Sequence, residues 1–297
     1  MTVRSSFGVG ALALPLLLTG CSLMPMKRHL PVPKAPAKVE TVTPEELVAQ
    51  VNQRWNSFEN LTAQVEINLT LTKPQEGLAT DYPSCRGYIV MQKPEFLRVV
   101  GTYFNVRIFN MASDGKTFTV LIPPKNKAIQ GPTSLTKRSD KQFENLRPSF
   151  FFDAMIVRAL DPDDYYTETS DTETIEDAVK KHLFTMPEYV LNITRHAPSG
   201  SRRDQPVRVI TFHRDDLLPS NQDMYDGEGN LESQVSYSAY KNFGGNKFPT
   251  RVVIKRPLEG ITIVLTVDKV DENQKGGLPA DEFTVKIPPD TLIQHLQ

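Results

Sequence analysis

The sequence predicts a mainly β domain of the α+β class, a curved antiparallel sheet of about 10–12 strands carrying a few helices. The first observation behind this lies in residues 61–73 (LTAQVEINLTLTK). There Leu61, Ala63, Val65, Ile67, Leu69 and Leu71 alternate without a break against Thr62, Gln64, Glu66, Asn68, Thr70 and Thr72. Period-two alternation of that length is a strand with one apolar and one solvated face. The second is that similar runs recur at 85–92, 96–101, 104–111, 117–122, 187–195, 206–213, 231–240, 248–256 and 261–270. Turn residues separate several of them, as in Ser113-Asp114-Gly115-Lys116, Asp226-Gly227-Glu228-Gly229-Asn230 and Gly244-Gly245-Asn246, and short turns between neighbours make an antiparallel meander. The third is a limit of geometry: so many consecutive strands in one sheet must curl, close or split into layers.

Taken in order, the chain opens with an address rather than with structure. Arg4 precedes a charge-free apolar run from Phe7 to Leu18 that contains Gly8, Gly10 and Pro15. A membrane-spanning helix needs roughly 20 apolar residues, so this shorter run fits the hydrophobic region of a secretory signal. It ends in Leu18-Thr19-Gly20-Cys21, which resembles the lipobox of bacterial lipoproteins. That resemblance implies cleavage between Gly20 and Cys21, a diacylglyceryl group on the Cys21 thiol and acylation of the new amino terminus, with residues 1–20 as signal peptide. Two or more acyl chains, at about 0.8 kcal/mol per buried methylene, hold a protein stably to a bilayer. Ser22 in the next position implies, by the same resemblance, the outer membrane of the cell envelope, facing the periplasm. Residues 21–42 contain several prolines and Lys27, Arg28, Lys34 and Lys38 without apolar periodicity, and read as an extended tether.

The folded domain is expected over 43–297. Thr43-Pro44-Glu45-Glu46 carries a capping box with proline at the first helical position. Leu47, Val48, Val51, Trp55 and Phe58 then fall on one side of a helix. Two further helices are expected, at 149–160 (SFFFDAMIVRAL, stopped by Asp161-Pro162) and at roughly 174–183 around IEDAVKKH. No internal repeat and no composition break divides the domain.

Composition removes several functions. Thirty-four cations against 35 anions take away the electrostatic reason to propose a nucleic-acid partner. Two cysteines make neither a disulfide framework nor a four-cysteine metal site, and with Cys21 acylated, Cys85 is left as a buried, unreactive thiol. The histidines, His29, His182, His196, His213 and His295, form no ligand-like pair in sequence, so no metal and no cofactor is expected. His213-Arg214-Asp215-Asp216 up to Asn221 resembles a kinase catalytic loop with its Asp-to-Asn spacing off by one, and neither a Gly-rich phosphate loop nor an Asp-Phe-Gly accompanies it. Residues 226–230 lack the glycine and terminal glutamate of a calcium loop. No G-x-S-x-G elbow, P-loop or H-E-x-x-H appears, and the chain is not expected to be an enzyme.

The order of elements over about 43–290 resembles the LolA/LolB lipoprotein-carrier superfamily. The capped helix ends in Trp55-Asn56-Ser57-Phe58 and leads into the long alternating strand. Gly87-Tyr88-Ile89-Val90-Met91-Gln92-Lys93-Pro94-Glu95-Phe96-Leu97-Arg98 is similar to the family's strand, cation-Pro turn and strand. Ser113-Asp114-Gly115-Lys116-Thr117 looks like its hairpin turn, and Leu278-Pro279-Ala280-Asp281-Glu282-Phe283 with Ile287-Pro288-Pro289 like its C-terminal signature. The resemblance implies a half-barrel with helices over its concave face and an apolar cavity between them that takes acyl chains. Trp55, Phe104, Phe118, Phe150, Phe151, Met155, Phe212 and Val235 are the residues expected to line it. Lys93 corresponds to a family cation that matters for transfer; lysine there lacks the planar fork of arginine and reads equally well as a solvated turn residue. The function implied is a lipid-anchored cell-envelope lipoprotein that binds lipid or lipoprotein acyl chains and sorts them towards the outer membrane. The same scaffold with a filled interior reads instead as a periplasmic sensor or assembly module with an envelope protein as partner.

Overall fold

In the computed structural model residues 33–36, 38–176, 183–196 and 204–297 are described. The expected signal peptide, Cys21, most of the tether and part of the polar loop at 196–205 lie outside the described residues. The chain enters along the sheet edge: Lys34 exchanges backbone hydrogen bonds with Leu183 and Thr185 (2.8 and 2.9 Å), and Glu40 N–H donates to the Arg214 carbonyl. Helix α1 (Pro44–Ser57) follows, with the expected capping box: Thr43 Oγ1 accepts from Glu46 N–H at 3.3 Å and the Glu46 carboxylate accepts from Thr43 N–H at 2.7 Å. Among the described residues no helix is long and apolar enough to cross a membrane.

Strands β1 (Asn60–Lys73), β2 (Leu78–Asp81), β3 (Cys85–Gln92), β4 (Phe96–Tyr103), β5 (Val106–Asp114), β6 (Thr117–Ile122) and β7 (Lys127–Pro132) precede the second helix, α2 (Pro148–Met155). After it come β8 (Asp164–Glu176), β9 (Leu183–His196), β10 (Asp204–His213), β11 (Pro219–Tyr225), β12 (Leu231–Phe243), β13 (Asn246–Arg256), β14 (Ile261–Glu272) and β15 (Leu292–His295). All of them join one open, curved, mixed sheet of 15 strands, more than the 10–12 expected. Its order is β15-β7-β6-β5-β4-β3-β1-β14-β13-β12-β11-β10-β9-β8, with β2 pairing beside β1. Two antiparallel meanders therefore meet where β1 pairs with β14. Among the named strands of the described residues β15 on β7 is the one parallel pair, and Lys34 adds a single parallel bridge to Phe184.

The register explains where the core sits. Directly opposed residues share a face, so each cross-strand row can be followed across the sheet. Ala63, Ile89, Val99, Met111, Val120 and Ile129 make one such row through six strands. Ile263, Ile254, Val235, Gln222, Ile210 and Leu191 make another. Every member is buried, and both helices pack on this inner face. Leu47 and Val51 of α1 meet Leu191, Ile210 and Phe212, while Phe151, Phe152 and Met155 of α2 join the cluster around β1, β3 and β13. The one polar member, Gln222, donates its Nε2 to the Asp153 carbonyl of α2 at 3.0 Å.

The helix expected over 149–160 ends at Met155, with Ile156 already extended at φ −145°. Ile156 and Val157 are β-branched and weak helix formers. The backbone beyond them finds partners elsewhere: the Arg208 guanidinium donates to the carbonyls of Arg158 and Ala159 at 2.9 and 3.2 Å, and Leu160 N–H donates to Asn52 Oδ1 at 3.0 Å. The helix expected at 174–183 is corrected as well. Residues 174–176 complete the long edge strand β8, which pairs with β9 from Asp164 to Glu176, and Leu183 begins β9; 177–182 lie outside the described residues. Its threonines and Ile175 suit a strand, and pairing overrides the local helical pattern.

The opposite face is apolar at one end only. Val90, Val100 and Ala112 are buried there. The C-terminal segment covers them, with Phe283 stacked on Phe96 at 5.3 Å and Arg98 Nη1 donating to the carbonyls of Glu282 and Thr284 at 2.7 and 3.1 Å.

Candidate functional site

Two hollows open between the helices and the inner face. The first, about 300 Å³, lies beside α2 and is walled by Ile67 and Leu69 of β1, Ile108 and Phe109 of β5, Phe151 of α2, and Tyr82, Phe143 and Leu146 from the connecting segments. Tyr82 and Phe143 meet edge to face at 5.6 Å. At the rim the exposed Lys125 holds its Nζ 3.7 Å from the Phe143 ring centre. Cys85 also faces this hollow; burial, helped by the Glu66 charge, pushes its thiol up, so it stays protonated and a poor nucleophile. The pocket is small and almost wholly apolar, with one cation at its edge.

The second hollow, about 410 Å³, lies between α1 and the β12–β13 hairpin, lined by Val51, Met155, Phe212, Tyr237, Tyr240 and Phe248 with Arg54 at its edge. Arg54 is clamped by both carboxylate oxygens of Glu272. Tyr240 donates its hydroxyl to the Pro219 carbonyl at 2.7 Å. The Tyr237 hydroxyl is buried without a hydrogen-bond partner, and Gln50, Gln53, Ser57, Asn246 and Lys247 add further polar groups to this wall. Burial raises both phenols, so each remains a donor at neutral pH.

Beside these lies a polar cleft around Trp55. The Asp153 carboxylate pairs with Arg158, which reaches Glu95 at 2.9 Å and lies over the Phe152 ring at 4.9 Å. Burial pushes the Asp153 carboxyl up against the pull of Arg158 and Arg208, and burial likewise lowers Arg208. Most of these polar groups are tied to one another and to backbone carbonyls, which fastens the α2–β8 connection to the sheet.

The residues expected to line one cavity are distributed. Phe151 walls the first hollow, and Met155 and Phe212 the second. Trp55 lines the polar cleft. Phe118 and Val235 are core residues, Phe118 with the Arg147 guanidinium 5.3 Å from its ring, and Phe150 is buried with Arg256 at 3.4 Å. Phe104 lines neither hollow: it is 85% exposed at the β4–β5 turn, where it meets Tyr103 edge to face at 4.6 Å. Phe104 and Asn105 both have positive φ, the two-residue hairpin turn that sends its side chains outward. Lys93 donates to the Trp55 carbonyl at 2.6 Å and lies 4.7 Å from the Trp55 ring centre, at the C-terminal end of α1. Phe143 and Tyr82, which the sequence reading passed over, sit in segments with no periodicity, where a lone aromatic in a polar stretch was the sole signal.

The sequence motifs resembling enzyme loops are turns. Leu217 has φ 56° and its N–H donates to the His213 carbonyl, while Leu218 N–H donates to Asp216 Oδ1, closing the β10–β11 connection. Asp226 accepts from the N–H groups of Glu228 and Asn230.

No family model matches the chain and no curated protein does. Among solved structures it is similar to a DUF1329 family protein from Desulfovibrio piger, at 15% identity over 81% of this chain and 95% of that one, with a TM-score of 0.52. It is also similar to a LolA superfamily protein from Nitrosomonas europaea, at 18% identity over 82% and 99% of the two chains, with a TM-score of 0.49. The likeness is one of fold. The Desulfovibrio piger chain is spanned almost end to end, so the open sheet with its helices corresponds to the whole of that chain and not to a fragment of it.

Proposed function

We propose that this chain is a lipid-anchored cell-envelope lipoprotein that holds an apolar ligand, a lipid or a lipoprotein acyl chain, in the hollow between Phe143, Phe151 and β1. In this reading residues 1–20 are the signal peptide, Cys21 carries the lipid, residues 21–42 form the tether and 43–297 the binding domain. The observation that carries it is the first hollow: about 300 Å³ of space walled by apolar side chains, open at one end beside the Lys125 cation. An acyl chain entering it gains about 0.8 kcal/mol per buried methylene, and an anionic headgroup meets Lys125 at the rim. A solid interior would have favoured a sensor or assembly module; the unfilled hollow supports a carrier.

The test uses the full-length chain expressed in a bacterial host and released in mild detergent. Native mass spectrometry is expected to find a co-purifying apolar molecule, and a fluorescent fatty acid is expected to bind. Ile108→Trp, which fills the hollow, should weaken that uptake at least tenfold while unfolding remains cooperative. An empty protein that takes up no fatty acid, or uptake untouched by Ile108→Trp, would end this reading. Labelling with radioactive palmitate that persists in Cys21→Ala would separately remove the anchor.

A further inference from the structure

Three strands at the open edge of the sheet bring a histidine and two glutamates together. Asp171 of β8 stands opposite Glu188 of β9, and Glu188 opposite His213 of β10. Glu173 lies two residues beyond Asp171 and so on the same face. This is the face away from the helices, because Tyr189 and Phe212, the neighbours of Glu188 and His213 in sequence, point into the core.

Glu188 is 8% exposed, an unusual place for a carboxylate. The His213 Nε2 is shut off from solvent and has no hydrogen-bond partner. It lies 3.4 Å from Glu188 Oε1 and 3.9 Å from Glu173 Oε2, and the three ligand atoms all fall within 4.8 Å of one another. Among the described residues neither glutamate forms an ion pair with a lysine or arginine. The imidazole thus stands between Glu173 and Glu188 without a hydrogen bond to either, and Asp171 faces Glu188 from the other side.

Those separations are long for hydrogen bonds with good geometry. The 3.4 Å between His213 and Glu188 matches a shared ion, and the exposed Glu173, at 3.9 Å, has to move in by about half an ångström to join it. An ion bound at about 2.0–2.2 Å by nitrogen and oxygen ligands at tetrahedral angles holds its ligand atoms about 3.4 Å apart. A mixed imidazole and carboxylate set favours first-row divalent ions over Mg²⁺. Outer support is present, since Ser220 Oγ lies 3.2 Å from Glu188 Oε1 and 3.3 Å from the Thr211 carbonyl, which orients the carboxylate. Ser220 is the extra residue of a bulge where β10 pairs with β11, a device that re-aims a side chain next to a site.

We propose that Glu173, Glu188 and His213 bind a divalent transition-metal ion of the Zn²⁺ class, with water completing its shell. The ion cross-links β8, β9 and β10, the three strands at the sheet's free edge. It stands on the outer face, apart from both hollows, so it neither requires nor supports the carrier reading.

The test titrates ZnCl₂, and in parallel MgCl₂, into the chelator-treated full chain by calorimetry and follows the melting temperature. One zinc site absent from the magnesium titration is expected, with the melting temperature rising as zinc saturates it. Glu173→Gln, at an exposed position where folding is not at stake, should weaken zinc at least tenfold, and His213→Gln with Glu173→Gln should abolish that site. Cobalt in place of zinc should give visible absorption that the double variant loses. No zinc binding, or binding of the same stoichiometry and affinity in the double variant, overturns the proposal.

Discussion

A methyl group on Gly87 would stand 1.9 Å from the Val100 carbonyl oxygen. Gly87 faces Gly101 directly across β3 and β4, and Gly101 in turn faces Phe109. On the inner face this pair carries no side chains, and Cys85 and Phe109 close over Gly101, where an added methyl would meet the Cys85 sulfur at 3.0 Å. Paired glycines at one point of a sheet also permit a tight bend. Gly87→Ala therefore has no side-chain relaxation open to it, because the obstructing atom belongs to the backbone. It should cost about 1–3 kcal/mol in urea-induced unfolding, the range of forced overpacking. Gly227, with nothing within 4 Å of its added methyl and no positive φ, is the matched control, and Gly227→Ala should unfold like the native chain.

At the scale of the element, α1 is held at both ends by short-range chemistry that its sequence displays. Thr43 and Glu46 close the N-terminus. At the C-terminus the Trp55 carbonyl accepts from Phe58 N–H at 3.1 Å and from Lys93 Nζ at 2.6 Å, a cation placed where the helix dipole is negative. Lys93→Met should remove about 1–2 kcal/mol of stability, as expected for a hydrogen bond from a charged donor, and a urea titration reads it. If fatty-acid uptake by folded Lys93→Met matches the native chain, Lys93 is an anchor for α1 and not a transfer residue. The same scale shows why some elements were legible and others were not. The alternation of β1 follows from burial of one face alone, so sequence displays it. Strand β11 reads PSNQDMY, and its inward residue is Gln222, so no apolar period marks it. Helix α2 stops six residues before Asp161 of the Asp161-Pro162 signal, and Arg208, some fifty residues later, holds the carbonyls of Arg158 and Ala159 in the stretch that follows. The end of β8, residues 174–176, reads as the start of a helix in isolation and is a strand because β9 supplies its partner.

Across the whole molecule, features built from distant strands escaped the sequence. Glu173, Glu188 and His213 have no motif spacing, and only the registers of β8 with β9 and β9 with β10 bring them together. The covering of the outer face is of the same kind. Near β4 and β5 the sheet is apolar on both sides, and the second side is dry only because residues near Phe283 lie across it. After that crossing the chain returns to the edge as β15, parallel to β7, where Leu292 N–H donates to the Asn126 carbonyl and Leu296 N–H to the Gln130 carbonyl. Phe283 is buried, and Phe283→Ala should cost about 3–5 kcal/mol, the usual loss for a core phenylalanine. The loss should be local before it is global, since the inner core around β1 and α2 makes no use of Phe283. Limited trypsin digestion should therefore cut Phe283→Ala after Lys286 faster than the native chain, under conditions where α1 and β1 stay intact. Equal cutting rates would mean that the backbone bonds from Arg98 to Glu282 and Thr284, rather than the aromatic contact, fasten the segment. Arg98→Met would then be the variant that frees it.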